Sequence, residues 1–95
     1  VLDEVTLMDI VVSAADQGNG LGKSLLRHFM ELCNQNNIQQ IWLEVRESNA
    51  AAINLYDNAG FILVEQRVNY YPSAKGKEDA LIMCCYFWLL LRTFN

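Results

Sequence analysis

A glycine-rich stretch between a predicted strand and a predicted helix has the composition of a phosphate-binding turn. The stretch, Gln17 to Ser24, carries glycines at positions 18, 20 and 22. Glycine lacks a Cβ atom and tolerates positive φ angles, so a ligand can approach the backbone closely. The first N–H groups of a helix have no intrahelical partner, and the helix dipole is positive at that end. This arrangement predicts an anion site, although a purely structural turn can have the same composition.

Three sequence templates compete for this stretch. The P-loop template G-x-x-x-x-G-K-[ST] is matched at its end by Gly22, Lys23 and Ser24, but Gln17 stands where the first glycine is required. The dinucleotide template G-x-G-x-x-G fails because Lys23 occupies its third glycine position. A third template, Q/R-x-x-G-x-G/A, is matched in full by Gln17, Gly20 and Gly22. One short loop does not decide among them, so the choice depends on the rest of the chain.

Two further side chains could carry acid–base chemistry. Glu44 is the one charge inside the apolar run from Ile41 to Val45, and ligands bind beside the carboxyl ends of strands in open α/β sheets. A partly buried carboxylate tends to have a raised pKa, which suits a general base. The competing interpretation is that Glu44 pairs with Arg46 or faces solvent. Tyr56 lies near the end of the following predicted helix, where core packing is the default interpretation.

Composition and charge narrow the class of protein. The chain has 95 residues, enough for one domain, and 53% of them are hydrophobic and 19% charged, as in soluble globular proteins. The net charge of −4 and the lack of a basic block with interleaved aromatics argue against a nucleic-acid partner. Val1 to Glu4 provide no basic start for a signal peptide. The apolar run from Ala80 to Leu91 is too short to span a membrane, so no membrane partner is expected.

The cysteines indicate the redox environment. Cys33, Cys84 and Cys85 are odd in number and two of them are adjacent. This spacing fits neither a disulfide framework nor a metal site. We therefore expect reduced thiols, no metal and a cytoplasmic protein.

Hydrophobic periodicity predicts six elements in the order β-α-β-α-β-β, which is an α/β fold with a mixed sheet of about four strands and two helices. The predicted ranges are Val5–Val12, Leu21–Asn34, Ile38–Val45, Ala50–Asn58, Phe61–Val68 and Asp79 to about Trp88, with Leu89–Leu91 extending the apolar run of the last strand and Tyr70–Lys77 forming a loop. The first strand, helix and strand form a βαβ unit, which predicts parallel pairing. Ser48 or Asn49 is expected to cap the second helix, and Gly60 to end it in the left-handed conformation.

The block from Trp42 to Phe61 resembles the Gcn5-related N-acetyltransferase (GNAT) family closely. It contains the specific pattern L-E-V-R-x-S-N-x-x-A-I-x-L-Y-x-x-x-G-F, and the template matched at Gln17 is that family's pyrophosphate loop. Within the family, Asn69-Tyr70-Tyr71-Pro72 followed by Glu78-Asp79-Ala80 is similar to the enzymes that acetylate the N-terminal alanine of ribosomal protein S18.

The resemblance also implies a domain organisation. It runs from about Leu2 to Met83 and covers the C-terminal half or so of a family domain. We therefore interpret residues 1–95 as a single truncated GNAT domain that carries the acetyl-CoA-binding half, a partial GNAT fold. Residues 84–95 have no counterpart that we recognise and form an atypical apolar tail.

The same resemblance implies roles for individual residues. Glu44 would take a proton from the acceptor α-ammonium, and Tyr56 would donate a proton to the departing thiolate. Tyr70 and Tyr71 would bind the acceptor peptide. The residues implied to bind acetyl-CoA are Ile10, Val11, Val12, Gln17, Gly18, Asn19, Gly20, Leu21, Gly22, Lys23 and Asn49.

These roles predict an N-terminal protein acetyltransferase that uses acetyl-CoA and modifies an N-terminal alanine of a ribosomal-protein-like substrate. The alternative is a non-catalytic CoA-binding or interaction module. A P-loop NTPase is a third hypothesis, which is disfavoured because Gln17 replaces the first glycine of the P-loop template. We also expect a homo-oligomer, paired through the unprotected edge of the first strand or through the apolar tail from Phe87 to Leu91.

Overall fold

The computed structural model describes the backbone of residues 4–6 and the chain from 20 to 88. The elements are β1 (Glu4–Thr6), α1 (Leu21–Gln35), β2 (Gln40–Arg46), α2 (Ala50–Asn58), β3 (Ile62–Ser73) and β4 (Gly76–Tyr86). This order confirms the predicted β-α-β-α-β-β arrangement of an α/β fold. Most of the predicted strand Val5–Val12 and the predicted extension Leu89–Leu91 lie outside the described residues.

The strands form one mixed sheet in the order β1-β2-β4-β3. β1 pairs in parallel with β2, with Val5 opposite Ile41, as the βαβ pattern predicts. β2 and β3 each pair antiparallel with β4. The last strand is therefore inserted between two earlier ones, which places residues far apart in sequence on neighbouring strands.

Both helices pack on one face of the sheet. Along β2, Ile41, Leu43 and Val45 point to this face and are at most 3% exposed, and they pack against Leu26 of α1 and Tyr56 of α2. Successive residues of a strand point to opposite faces. We call the side with these five residues the helix-covered face.

The other side of the sheet, which we call the open face, carries the alternate residues of β2. Trp42 is partly exposed there, while Glu44 and Arg46 are exposed. The Trp42 ring packs edge-on against Tyr86 of β4, with centroids 6.3 Å apart. The period-2 alternation of β2 thus separates the apolar core from the charged residues.

The prediction of a loop at Tyr70–Lys77 is wrong. β3 continues to Ser73, which pairs with Gly76 across a turn at Ala74 and Lys75. Pro72 had suggested a loop, but β3 is an edge strand of the described sheet, and there a residue without an N–H can leave the ladder intact. Gly76 has a φ of 119°, which glycine adopts readily.

The predicted end of the last strand is also wrong. β4 ends at Tyr86, and Phe87 and Trp88 are helical. Cys84 and Cys85, which we placed in an atypical tail, are interior strand residues with 0% exposure. The three cysteines are free and buried. Burial raises the pKa of Cys33, and burial with the neighbouring Cys84 raises that of Cys85 to about 11.

The described sheet has two edges. β1 occupies one edge and β3 the other, and β3 exposes apolar side chains, among them Leu63 at 54% and Val68 at 71%. The predicted oligomer contacts fall mainly on residues outside the described part, so oligomerisation stays a prediction. Within residues 20–88 neither helix has the length and apolar composition needed to cross a membrane.

Candidate active site

The glycine-rich turn leads directly into α1. Gly20 precedes the helix with a φ of 80°, in the left-handed region. No side chain caps the helix, and Ser24 donates its N–H to the Gly20 carbonyl at 3.1 Å. Among the residues that the structure describes, none has an atom within 4 Å of a Cβ placed at Gly20. With Lys23 and no acidic residue in the first turn, this helix end can hold an anion.

Of the other residues implied to bind acetyl-CoA, Leu21, Gly22 and Asn49 lie in the described part of the chain. In the first turn of α1, Leu21 is 44% exposed and Gly22 is buried. Asn49 caps α2, since its side-chain oxygen accepts the Ala52 N–H at 3.2 Å, and Gly60 follows that helix with a φ of 104°, so both predicted caps are confirmed. The remaining predicted residues lie outside the described part of the chain: Ile10, Val11, Val12, Gln17, Gly18 and Asn19.

A groove of about 610 Å³ runs between α1 and the end of α2. Lys23 and Arg27 contribute positive charge to its wall, while Met30, Leu55 and Phe87 make part of its lining apolar. Sequence analysis missed this groove, because only the packing of the two helices brings Arg27 beside Leu55. Its position continues the anion site at the start of α1.

Glu44 lies on the open face, and its side chain is 34% exposed. Its Oε2 accepts a hydrogen bond from the Tyr71 hydroxyl, and its Oε1 lies 3.8 Å from Nη1 of Arg67. Arg67 also lies 3.6 Å from Glu65. The ion partner of Glu44 is therefore Arg67 and not Arg46. Ion pairs this exposed contribute little to stability, so their main effect here is to orient the carboxylate.

Tyr71 connects Glu44 to a second arginine. The Arg46 guanidinium lies over the Tyr71 ring, with 4.2 Å from Cζ to the ring centroid, a cation–π geometry. Arg46 also donates to the Pro72 carbonyl at 2.9 Å and lies 3.8 Å from Glu78. Burial, and next the hydrogen bond to Glu44, raise the pKa of Tyr71 to about 12. The Tyr71 hydroxyl therefore stays protonated at neutral pH and donates a hydrogen bond to Glu44.

Tyr56 has a different environment. It is 0% exposed, and its ring packs against Phe61 with centroids 5.5 Å apart. Because it belongs to the helix-covered face, it lies across the sheet from Glu44. The structure thus places the two predicted catalytic residues on opposite faces, while it brings Glu44 and Tyr71 into contact. The chemical roles of all three stay predictions.

Sequence analysis missed Arg67 and Asp79 as parts of this site. Arg67 and Ala80 both lie in predicted strands, but the sequence does not show that these strands pair in the register that aligns the two residues. Asp79 was identified only as part of the family pattern Glu78-Asp79-Ala80 and was given no role. Glu65 and Arg67 are two residues apart in a predicted strand, and this spacing could have shown that their side chains share one face of the sheet. Among the described residues, no group of three or more His, Cys, Asp or Glu side chains is arranged to hold a metal ion.

Comparison with known proteins places these features in a family. The sequence model of the Acetyltransferase (GNAT) family matches residues 2–61. The ribosomal protein bS18-alanine N-acetyltransferase of Escherichia coli strain K12 is 49% identical over 83 residues, which cover 87% of this chain and 56% of that protein.

Two solved structures are similar to this chain. The crystal structure of the ribosomal-protein-S18-alanine N-acetyltransferase from Escherichia coli has a TM-score of 0.81 at 48% identity, covering 90% of this chain and 56% of that one. The crystal structure of the NatC complex bound to Gag peptide and CoA has a TM-score of 0.65 at 29% identity, covering 73% and 42%.

The chain thus spans 56% of the length of the bS18-alanine N-acetyltransferase that it matches. The pattern from Leu43 to Phe61 lies within the family match over residues 2–61, and the bS18-alanine N-acetyltransferase is 49% identical to this chain over 83 residues. On these grounds the chain belongs to the GNAT acetyltransferase family.

Proposed function

We propose that this chain carries the acetyl-CoA-binding and catalytic half of an N-terminal protein acetyltransferase. The reaction transfers acetyl from acetyl-CoA to the α-amine of an N-terminal alanine on a ribosomal-protein-like substrate. The observation that carries the proposal is the contact between the Tyr71 hydroxyl and the Glu44 carboxylate. It joins a predicted peptide-binding residue to a predicted general base across 27 positions of the sequence.

The cofactor half of the site uses the start of α1. Gly20, Leu21, Gly22 and Lys23 would hold the pyrophosphate of acetyl-CoA at the positive end of the helix dipole. Gln17, Gly18 and Asn19 would complete this turn, and the backbone of Ile10, Val11 and Val12 would bind the pantetheine arm like an added strand. Asn49 would contact CoA. Lys23 and Arg27 outnumber the Glu31 carboxylate in the lining of the groove, which supports binding of an anionic ligand.

The acceptor half uses the open face. Glu44 would remove a proton from the substrate α-ammonium, whose ordinary pKa is about 7.7–8.0, so only a small shift is required at neutral pH. Tyr70 and Tyr71 would contact the acceptor peptide next to that carboxylate. Tyr56 would supply the proton that the departing thiolate needs. Because Glu44 and Tyr56 lie on opposite faces of the sheet, the acetyl group would have to lie within reach of both side chains.

The buried free thiols support a reducing, cytoplasmic location for this activity. The partner that we propose is a protein N-terminus, and neither nucleic acid nor a membrane enters the reaction. We further propose that the chain forms a homo-oligomer through an exposed strand edge or through its apolar tail.

Calorimetry and mass spectrometry together test the function. We expect acetyl-CoA to bind, and an Ala-initiated peptide to gain one acetyl group at its α-amine. The same peptide with a blocked N-terminus is the matched control and should gain none. Binding without turnover would favour the alternative, a non-catalytic CoA-binding module. Binding of ATP without binding of CoA would instead revive the P-loop reading.

A further inference from the structure

β3 contains a bulge between Arg67 and Tyr71. Arg67 lies opposite Ala80 and Tyr71 lies opposite Glu78, so four steps along β3 match two steps along β4. Within the bulge Asn69 has a φ of 56°. This left-handed conformation is uncommon for residues other than glycine, and asparagine is among those that tolerate it best.

The carboxylate of Asp79 closes this bulge. Its Oδ1 accepts the backbone N–H of Asn69 at 2.8 Å, and its Oδ2 accepts Nε2 of Gln66 at 2.6 Å. The Asp79 backbone is itself fixed, because its N–H donates to Oε1 of Glu47 at 3.2 Å and its carbonyl accepts the Glu47 N–H at 3.1 Å. Asp79 therefore connects both sides of the bulge to the end of β2.

The bulge determines where Tyr71 lies relative to Glu44. In a regular ladder continuing from the Arg67–Ala80 pair, Tyr71 would lie opposite Gly76 instead of Glu78. A strand rises about 3.4 Å per residue, so the extra residues bring Tyr71 closer to Glu44 by about 7 Å. A tyrosine side chain cannot make up a displacement of that size. The hydrogen bond from Tyr71 to Glu44 thus depends on the bulge.

We propose that Asp79 is a positioning residue, which holds the β3 bulge and thereby keeps the Tyr71 hydroxyl against Glu44. Its effect on acetyl transfer rests on the proposed function, whereas its effect on the position of Tyr71 does not. Asp79 itself contacts no residue implied to react, and it acts through Asn69 and Gln66.

Nuclear Overhauser effects between the Tyr71 ring and the Arg46 side chain test the proposal without any need for turnover, because these groups are 4.2 Å apart. Asp79→Ala removes both acceptors and should abolish these signals. Asp79→Asn keeps one acceptor oxygen for the Asn69 N–H and should retain them in part. Asp57→Asn removes the same charge from the exposed surface of α2 and should leave them unchanged.

Steady-state kinetics of acetyl transfer provides a second measurement, beside the nuclear Overhauser effects. Misplacing a reacting group by about 1 Å can lower a rate by about 100-fold. Asp79→Ala should therefore lower kcat/KM for the peptide by about tenfold or more and leave the KM for acetyl-CoA unchanged, with a smaller loss in Asp79→Asn.

The outcomes separate the two proposals. Full Tyr71–Arg46 signals in folded Asp79→Ala would overturn the positioning role. Loss of these signals with an unchanged peptide kcat/KM would support the positioning of Tyr71 by Asp79 and overturn its effect on acetyl transfer. If Asp79→Ala does not fold, Asp79→Asn decides by the same signals. A wild-type chain that retains the signals but acetylates no peptide would count against the proposed function alone, and the variants' signals would still decide the role of Asp79.

Discussion

The two faces of the sheet are held together by different interactions. On the helix-covered face, Ile41, Leu43 and Tyr56 are almost fully buried and pack through apolar surface. On the open face, the exposed Glu44 meets the partly buried Tyr71 through a polar contact. Apolar burial dominates stability, whereas exposed ion pairs contribute little. The comparison indicates that one face supports the fold and the other is available for binding and chemistry.

The largest expected effect concerns the helix end that borders the helix-covered face. Gly20→Glu should reduce acetyl-CoA binding below detection, because it adds a negative charge at the anion site and a side chain where φ is 80°. Gly20→Ala is the control, since it adds the backbone strain without the charge. Calorimetry that finds equal affinity in wild type and Gly20→Glu would refute the assignment of this turn.

A pair of neighbouring substitutions tests whether stability resides on one face. Ile41→Ala should lower the free energy of unfolding by about 2–5 kcal/mol, because it leaves a cavity in the core. Glu44→Ala should lower it by less than about 1 kcal/mol. Urea denaturation measures both. Similar losses for the two variants would show that the open face contributes as much to stability as the core.

Substitutions of the two predicted catalytic residues test the comparison between the two faces of the sheet by enzyme kinetics. Glu44→Gln should lower the rate by about 100-fold or more, chiefly at low pH, where the base does most to generate free amine. Tyr56→Phe should lower the rate with little change in acetyl-CoA affinity, since the ring still fills its buried site. A pH–rate profile checks both variants. Wild-type rates in either one would identify that residue as structural.

The smallest effect is the pH dependence of the bulge. The hydrogen bonds from Asn69 and Gln66 hold the pKa of Asp79 below its usual 3.8. A depressed folded pKa means that the stabilisation is fully present above the unfolded pKa and is lost as the pH falls through the folded pKa. The Asn69 amide shift should therefore titrate below pH 3.8. The Glu47 carboxylate, which accepts the Asp79 N–H, can be removed with Glu47→Gln as a control.

The sequence by itself determined the order of the elements and the family. The alternation of apolar residues along β2 specified that Ile41, Leu43 and Val45 are buried, because successive residues of a strand point to opposite faces. In α1 the apolar residues specified less, since Leu26 is buried whereas Leu21 and Leu25 are 44% and 38% exposed. The caps at Asn49 and Gly60 were also readable, since local backbone geometry selects those residue types.

Only the tertiary structure decided the contacts of the open face. No local pattern shows that β4 lies between β2 and β3, and that insertion aligns Arg67 with Ala80 and lets Tyr71 reach Glu44. We predicted a loop at Pro72 because proline disrupts a central strand. An edge strand tolerates proline, and whether a strand lies at an edge is a property of the whole sheet. The bulge depends on hydrogen bonds that the Asp79 carboxylate accepts from residues 10 and 13 positions away. Such contacts arise from the register of paired strands, which the assembled sheet sets.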